Sequence, residues 1–217
     1  MSAAYQLTLE GEAVLLLAEK ALYWPARRML VIADIHFGKA AAFRALGVPV
    51  PRGTTTENLD ALDALMARYP TEQLMFLGDF LHARASHASA TMAAMLAWRL
   101  RHPLLRLLLV RGNHDKRAGD PSAALGIEIV DEPYTLAPFS FCHHPDIEAP
   151  GYVLAGHVHP VYVLATRVDS VRLPCFQVGP GRMILPSFGS FTGGYAISAQ
   201  AGERIFVTAG DAVHCVR

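Results

Sequence analysis

The chain has 217 residues, 52% of them hydrophobic and 18% charged, which suits a sizeable buried core and excludes a disordered protein. Nineteen Lys and Arg balance nineteen Asp and Glu. This excludes a globally basic surface that grips duplex DNA by phosphate neutralisation alone, so any polyanion must be held by a local patch or by metal. No apolar run approaches the ~20 residues of a membrane-spanning helix, since the densest, Leu104 to Val110, is interrupted by Arg106.

Residues Met1 to Glu10 lack the basic start and apolar stretch of a secretory signal. The first predicted strand, Met29–Ile32, stops at Asp34-Ile35-His36. Thr54-Thr55-Thr56-Glu57 reads as a capping box that opens a helix, with Leu59, Leu62, Leu65, Met66 and Tyr69 on one face and Pro70 at its end. Leu74–Leu77 then stops at Gly78-Asp79, and an Ala-rich helix is expected from about Ser86 to Leu100. Leu107–Val110 stops at Gly112-Asn113-His114-Asp115, Phe139–Cys142 at His143-His144, and Tyr152–Leu154 at Gly156-His157-Val158-His159. The turn residues Val178-Gly179-Pro180-Gly181-Arg182 predict a hairpin between Leu173–Val178 and Met183–Leu185. Strands alternating with helices argue an α/β fold, with a second, more antiparallel sheet towards the C-terminus and one domain over 1–217. Cys142, Cys175 and Cys215 have no paired spacing and read as reduced core thiols of a cytoplasmic protein.

Short continuous apolar runs suit strands covered on both faces, and ligands of such sheets bind beyond the strands' carboxyl ends. All five polar clusters fall there. Asp34, His36, Asp79, Asn113, His143, His157 and His159 offer oxygen and imidazole donors without a thiolate, a set that suits Mn, Fe, Co, Ni or Zn. Adjacent residues on a strand face opposite ways, so only one of His143 and His144 is expected to face a metal. His87, His102 and His214 match no cluster and read as structural or surface residues.

Asp34-x-His36, Gly78-Asp79-x-x-His82, Gly112-Asn113-His114-Asp115, His143 and Gly156-His157-x-His159 resemble the motifs of the calcineurin-like metallophosphoesterases. Ala21–Pro25, Ala33–Ala40, Gly78–Arg84 and Leu185–Gly194 resemble the bacterial PdeM family, the ligase-associated DNA damage response endonucleases related to SbcD-type nucleases. The resemblance implies a four-layer αββα fold, a two-sheet sandwich flanked by helices. It also implies two divalent ions, manganese foremost: one on Asp34, His36 and His159, the other on Asn113, His143 and His157, with Asp79 bridging. His143 is favoured over His144 on the same ground.

In such a site His114 would protonate the leaving oxygen, with Asp115 orienting its ring, and His82 would hydrogen-bond a ligand. Lys39, Arg84, Lys116 and Arg117, with Arg44 and Arg111, lie beside the motifs and could form the local phosphate-holding patch. Phe188–Gly194 either walls the cleft or makes a tight turn. The function implied is a phosphodiesterase acting on DNA beside ligase-associated repair proteins, with homodimers as in related nucleases. A phosphodiesterase of small nucleotides shares the chemistry. A non-catalytic scaffold would be expected to have lost ligands, and none of the seven is missing.

Overall fold

The computed structural model describes residues 4–50, 53–165 and 167–217. The first three of the ten N-terminal residues read for a signal lie outside them. In chain order the elements are β1 (Tyr5–Leu9), β2 (Glu12–Leu17), β3 (Ala21–Trp24), β4 (Met29–Ala33), α1 (Lys39–Ala45), α2 (Thr54–Arg68), β5 (Gln73–Leu77), α3 (Ser89–Arg101), β6 (Arg106–Val110), α4 (Asn113–Ala118) and β7 (Ile127–Val130). Nine strands follow: β8 (Tyr134–Leu136), β9 (Phe139–Phe141), β10 (Tyr152–Ala155), β11 (Pro160–Ala165), β12 (Ser170–Val178), β13 (Arg182–Ile184), β14 (Tyr195–Ala196), β15 (Arg204–Ala209) and β16 (Ala212–Cys215).

Strands β1 to β7 form one sheet in chain order. Its first four strands are an antiparallel meander, and β4 to β7 run parallel through helical crossovers. Strands β8 to β16 form the second sheet, in which β10 lies parallel to β9 and β13. The expected hairpin is present, with β12 and β13 paired antiparallel. The fold is therefore α/β, two mixed sheets flanked by helices.

Strand alternation sorts the core. Met29, Val31, Ala33, Met75, Leu77, Leu108 and Val110 point between the sheets, where they meet Phe139, Phe141, Leu154, Phe176 and Phe206. Leu30, Ile32, Leu74, Phe76, Leu107 and Leu109 point outward under Leu59, Leu62 and Leu65 of α2 and Met95 and Trp98 of α3. The four α-helices of the described residues all fall between Lys39 and Ala118. The outer face of the second sheet carries two smaller apolar clusters, one of them capped by the loop residues Ile147 and Ala149.

Some local expectations change. Gly53, in the left-handed region, caps α2, and no Thr hydroxyl does, so there is no capping box. The chain from Arg84 to His87 is a turn of 3-10 helix, and α3 starts only at Ser89. Cys142 and Cys175 are buried free thiols, but Cys215 is exposed and not part of the core. No helix among the described residues is long and apolar enough to cross a membrane.

Candidate metal centre

Strands β4, β5 and β6 of the first sheet and β9 and β10 of the second deliver the five polar clusters to one end of the sandwich. The turns that follow them are backbone-strained. Asp34, His36, Asp79, His157 and His159 all have φ between 47° and 71°, a region L-residues seldom adopt and one that clusters at functional sites. The glycines of the motifs make room. A Cβ on Gly78 would lie 2.0 Å from His143 Nδ1, and one on Gly112 would lie 2.4 Å from Asp79 Oδ1.

Main-chain carbonyls fix three of the rings. His143 Nδ1 lies 3.1 Å from the Leu77 carbonyl oxygen, His159 Nδ1 3.2 Å from that of Gly193, and His114 Nδ1 2.7 Å from that of His82. A carbonyl only accepts, so each Nδ1 carries a proton and each ring turns its Nε2 inward. The consequence is a set of facing acceptors. His143 Nε2 lies 2.9 Å from Asn113 Oδ1, 3.1 Å from His157 Nδ1 and 3.5 Å from Asp79 Oδ1. His159 Nε2 lies 3.4 Å from both His36 Nε2 and Asp34 Oδ1.

Asp34 Oδ1 is buried without a hydrogen-bond donor, while Oδ2 accepts from the main-chain N–H of His157 at 2.9 Å. Asp79 sits between the groups: Oδ1 accepts from the His114 N–H at 2.9 Å, and Oδ2 lies 3.8 Å from His36 Nε2. Burial of an unpaired carboxylate oxygen among lone pairs is costly unless a cation joins it. Asp34 with His36 and His159, and Asp34 with Asp79 and His143, have ligand atoms mutually within 4.8 Å. The donor set thus fits divalent metal.

Two of the candidate ligands, His36 and His157, are held in the form that binds metal, as is His82 beside them. Burial, reinforced by Lys39 and neighbouring rings, pushes the His36 imidazolium far below its usual range and that of His82 down to about 4. His157 is lowered by burial and by His143 and His144. Burial lowers Lys39 more than the nearby Asp34 and Asp79 raise it.

Other expected residues divide. His143 is fully buried and faces the centre. His144 turns its Nδ1 to Glu132 Oε1 at 2.7 Å, with its ring still 4.5 Å from that of His157. Asp115 does not orient His114. Its oxygens accept from the main-chain N–H groups of Phe80, Leu81 and Gly112 at 3.3, 2.9 and 3.0 Å, and the His82 carbonyl takes the orienting role. Burial nonetheless raises the Asp115 carboxyl despite those donors.

His82 has no ring hydrogen bond to a ligand among the described residues. Its Nδ1 is unpartnered and its ring stacks on His114 at 4.9 Å. Arg84, Lys116 and Arg117 are exposed and form no ion pair among the described residues. Arg111 is committed to Asp120 and Asp131 at 3.0 and 2.6 Å, which removes it from the phosphate patch.

Phe188–Gly194 walls the cleft through the Gly193 carbonyl on His159 and a Ser190 N–H that donates to Asn58 Oδ1 at 3.0 Å. Glu132 was not evident from sequence. It accepts from the main-chain N–H of both His143 and His144, at 2.8 and 2.9 Å, yet neither periodicity nor motif marks it.

The sandwich, the strand-end carboxylates and the inward lone pairs define a metal-dependent phosphoester hydrolase. The profile of the calcineurin-like phosphoesterases matches residues 27–150, and the chain belongs to that family. The crystal structure of nuclease MPE from Pseudomonas putida is 47% identical over 95% of this chain and 97% of its own, with a TM-score of 0.85. A protein of unknown function from Aquifex aeolicus (20% identity, 60% of this chain and 78% of that one, TM-score 0.41) and the phosphoesterase Yfce from E. coli (14%, 82% and 86%, TM-score 0.39) are more distant. No curated protein sequence matches the chain.

Proposed function

We propose that the chain is a manganese-dependent phosphodiesterase that cleaves DNA. Asp34, His36 and His159 would hold one ion and Asn113, His143 and His157 the other, with Asp79 between them. The observation that carries this is the paired acceptors, His143 Nε2 against Asn113 Oδ1 and His159 Nε2 against His36 Nε2 and Asp34 Oδ1, which cations reconcile. When bound, two divalent ions ease ionisation of water and stabilise charge on the phosphoryl oxygens. The carboxylate and amide oxygens suit manganese and the four imidazoles equally suit Zn, Fe or Ni, so manganese is taken from the family resemblance.

The protein's own groups supply the rest. His114 keeps its Nδ1–H on the His82 carbonyl and so presents Nε2 to the site; a proton taken up there from water is the one the leaving oxygen would receive. Lys39 holds a phosphoryl oxygen beside Asp34 and Asp79. Arg84, Lys116 and Arg117 hold neighbouring phosphates, a local patch on a chain of zero net charge. DNA as target is supported by the 47%-identical relative, described as a nuclease. Work beside ligase-associated repair proteins in the cytoplasm, as a homodimer, follows from the family resemblance.

The test is cleavage of single- and double-stranded oligonucleotides by full-length protein stripped with chelator and reloaded with Mn. Cleavage is expected, and Asp79→Asn should lower it by more than about 100-fold, since even partners outside the ligand set are worth 10- to 100-fold. No DNA cleavage at full metal occupancy would overturn the assignment; turnover of small nucleotides alone would reassign the substrate.

A further inference from the structure

Beside the metal centre runs an open groove of about 380 Å³, lined by Lys39 and Phe43 of α1 and by Ser190, Phe191, Thr192 and Gly193 of the wall loop. It continues into the centre at two points. Gly193 gives its carbonyl to His159, and the Phe43 ring lies 5.9 Å from that of His82, which stacks on His114. Phe191 extends the row, 5.7 Å from Phe43 and at right angles to it. An unbroken line of aromatic rings therefore runs from the groove to the residue placed at the leaving group.

Both phenylalanines are half-buried, and neither belongs to the core clusters packed by the sheets and helices. Two half-buried rings side by side in an open groove still leave apolar surface in water, and a flat apolar partner laid against them removes that area from water. A nucleobase is such a partner, because any base offers a face to stack on an aromatic side chain without sequence preference. Lys39, sharing the groove, is placed to hold the phosphate that joins this base to the reacting centre.

We infer that this groove is a nucleobase subsite, in which Phe191 stacks the base flanking the scissile phosphodiester and Phe43, at right angles to Phe191, meets the edge of that base. The inference rests on the reading of the centre as a phosphodiester hydrolase and specifies what its substrate must carry: a base next to the bond that is cut. The competing explanation is that the two rings only pin the wall loop onto α1. A leucine would do that equally well, and the test exploits the difference.

Full-length protein loaded with Mn is assayed on single-stranded oligonucleotides in which one base at a time is replaced by an abasic residue. In parallel, the p-nitrophenyl ester of thymidine monophosphate is compared with that of methyl phosphate. In the native protein, removing the base beside the cut should raise KM about tenfold, the worth of one base–aromatic stack. In Phe191→Leu the same removal should change KM by less than about twofold, and Phe191→Trp should restore the penalty. An equal penalty in native and Phe191→Leu proteins overturns the subsite. Intact oligonucleotides alongside base-dependent hydrolysis of the thymidine ester would remove the polymer from the function but keep the subsite. Equal hydrolysis of thymidine and methyl esters would remove the subsite and leave the hydrolase.

Discussion

The Glu132 carboxylate gathers three donors, the main-chain N–H groups of His143 and His144 and the Nδ1 of His144. Hydrogen bonds to a charged acceptor contribute about 1.5–3 kcal/mol each, and the two N–H groups are left unpaired once the acceptor is gone. Glu132→Ala should therefore destabilise the fold by about 2–4 kcal/mol and weaken metal binding by roughly 10- to 100-fold, because the loop that aims His143 loosens. Urea unfolding and calorimetric titration of stripped protein with Mn measure the two effects. Native-like values of both would show that His143 needs no such anchor.

The contrast with the predicted groups is instructive. Asp34, Asp79 and His157 were legible because each ends an apolar run, and that position has chemical meaning in a sheet covered on both faces. Glu132 acts across the sheet edge, through main-chain groups eleven residues on, and no local pattern encodes that reach. Asp115 was expected to orient His114, and its contacts are instead with main-chain amides, two of them in another loop.

At the scale of elements, helices α2 and α3 are clasped by Asp63. Its Oδ1 accepts from Trp98 Nε1 at 2.7 Å and pairs with His102 Nε2 at 2.7 Å, while Oδ2 accepts from Arg101 at 2.8 Å. Burial alone would raise this carboxyl, but the bonds from Arg101, His102 and Trp98 outweigh it and hold the group below its usual range. A depressed carboxylate stabilises the fold above its unfolded pKa of about 3.9, and that contribution disappears as pH falls through the lower folded value. Asp63→Asn should cost about 1–2 kcal/mol near neutral pH, and the gap from the native protein should close in acid. Thermal unfolding from pH 7 down to pH 2 measures it, and a gap independent of pH would exclude the ionised clasp. The helices were readable from Leu59, Leu62, Leu65, Met95 and Trp98 on their buried faces. Their ends were not, because Gly53, in the left-handed region, takes the cap position of α2 and leaves the threonines inside the helix.

For the molecule as a whole, the cost of the centre is spread over its scaffold. Five of the seven proposed ligands sit in left-handed backbone, each at about 1–3 kcal/mol, and a buried carboxylate oxygen stands without a donor. The apolar layer between the two sheets holds this arrangement, while only cations remove the repulsion of the facing acceptors. Stability should then be coupled to metal. Mn at about 100 times its dissociation constant adds about 2.7 kcal/mol per site, so stripped protein should melt roughly 10–20 °C below protein with both sites filled. Magnesium, which prefers oxygen donors and gives up its water reluctantly, should shift the midpoint much less at the same concentration. Calorimetric melting across a titration of each ion tests this directly. An Asn113→Ala variant should lose about half of the Mn shift, since one of two ions loses a ligand. A midpoint that ignores Mn would mean that the sandwich carries the strained turns alone, and the paired acceptors would then need protons between them in place of metal.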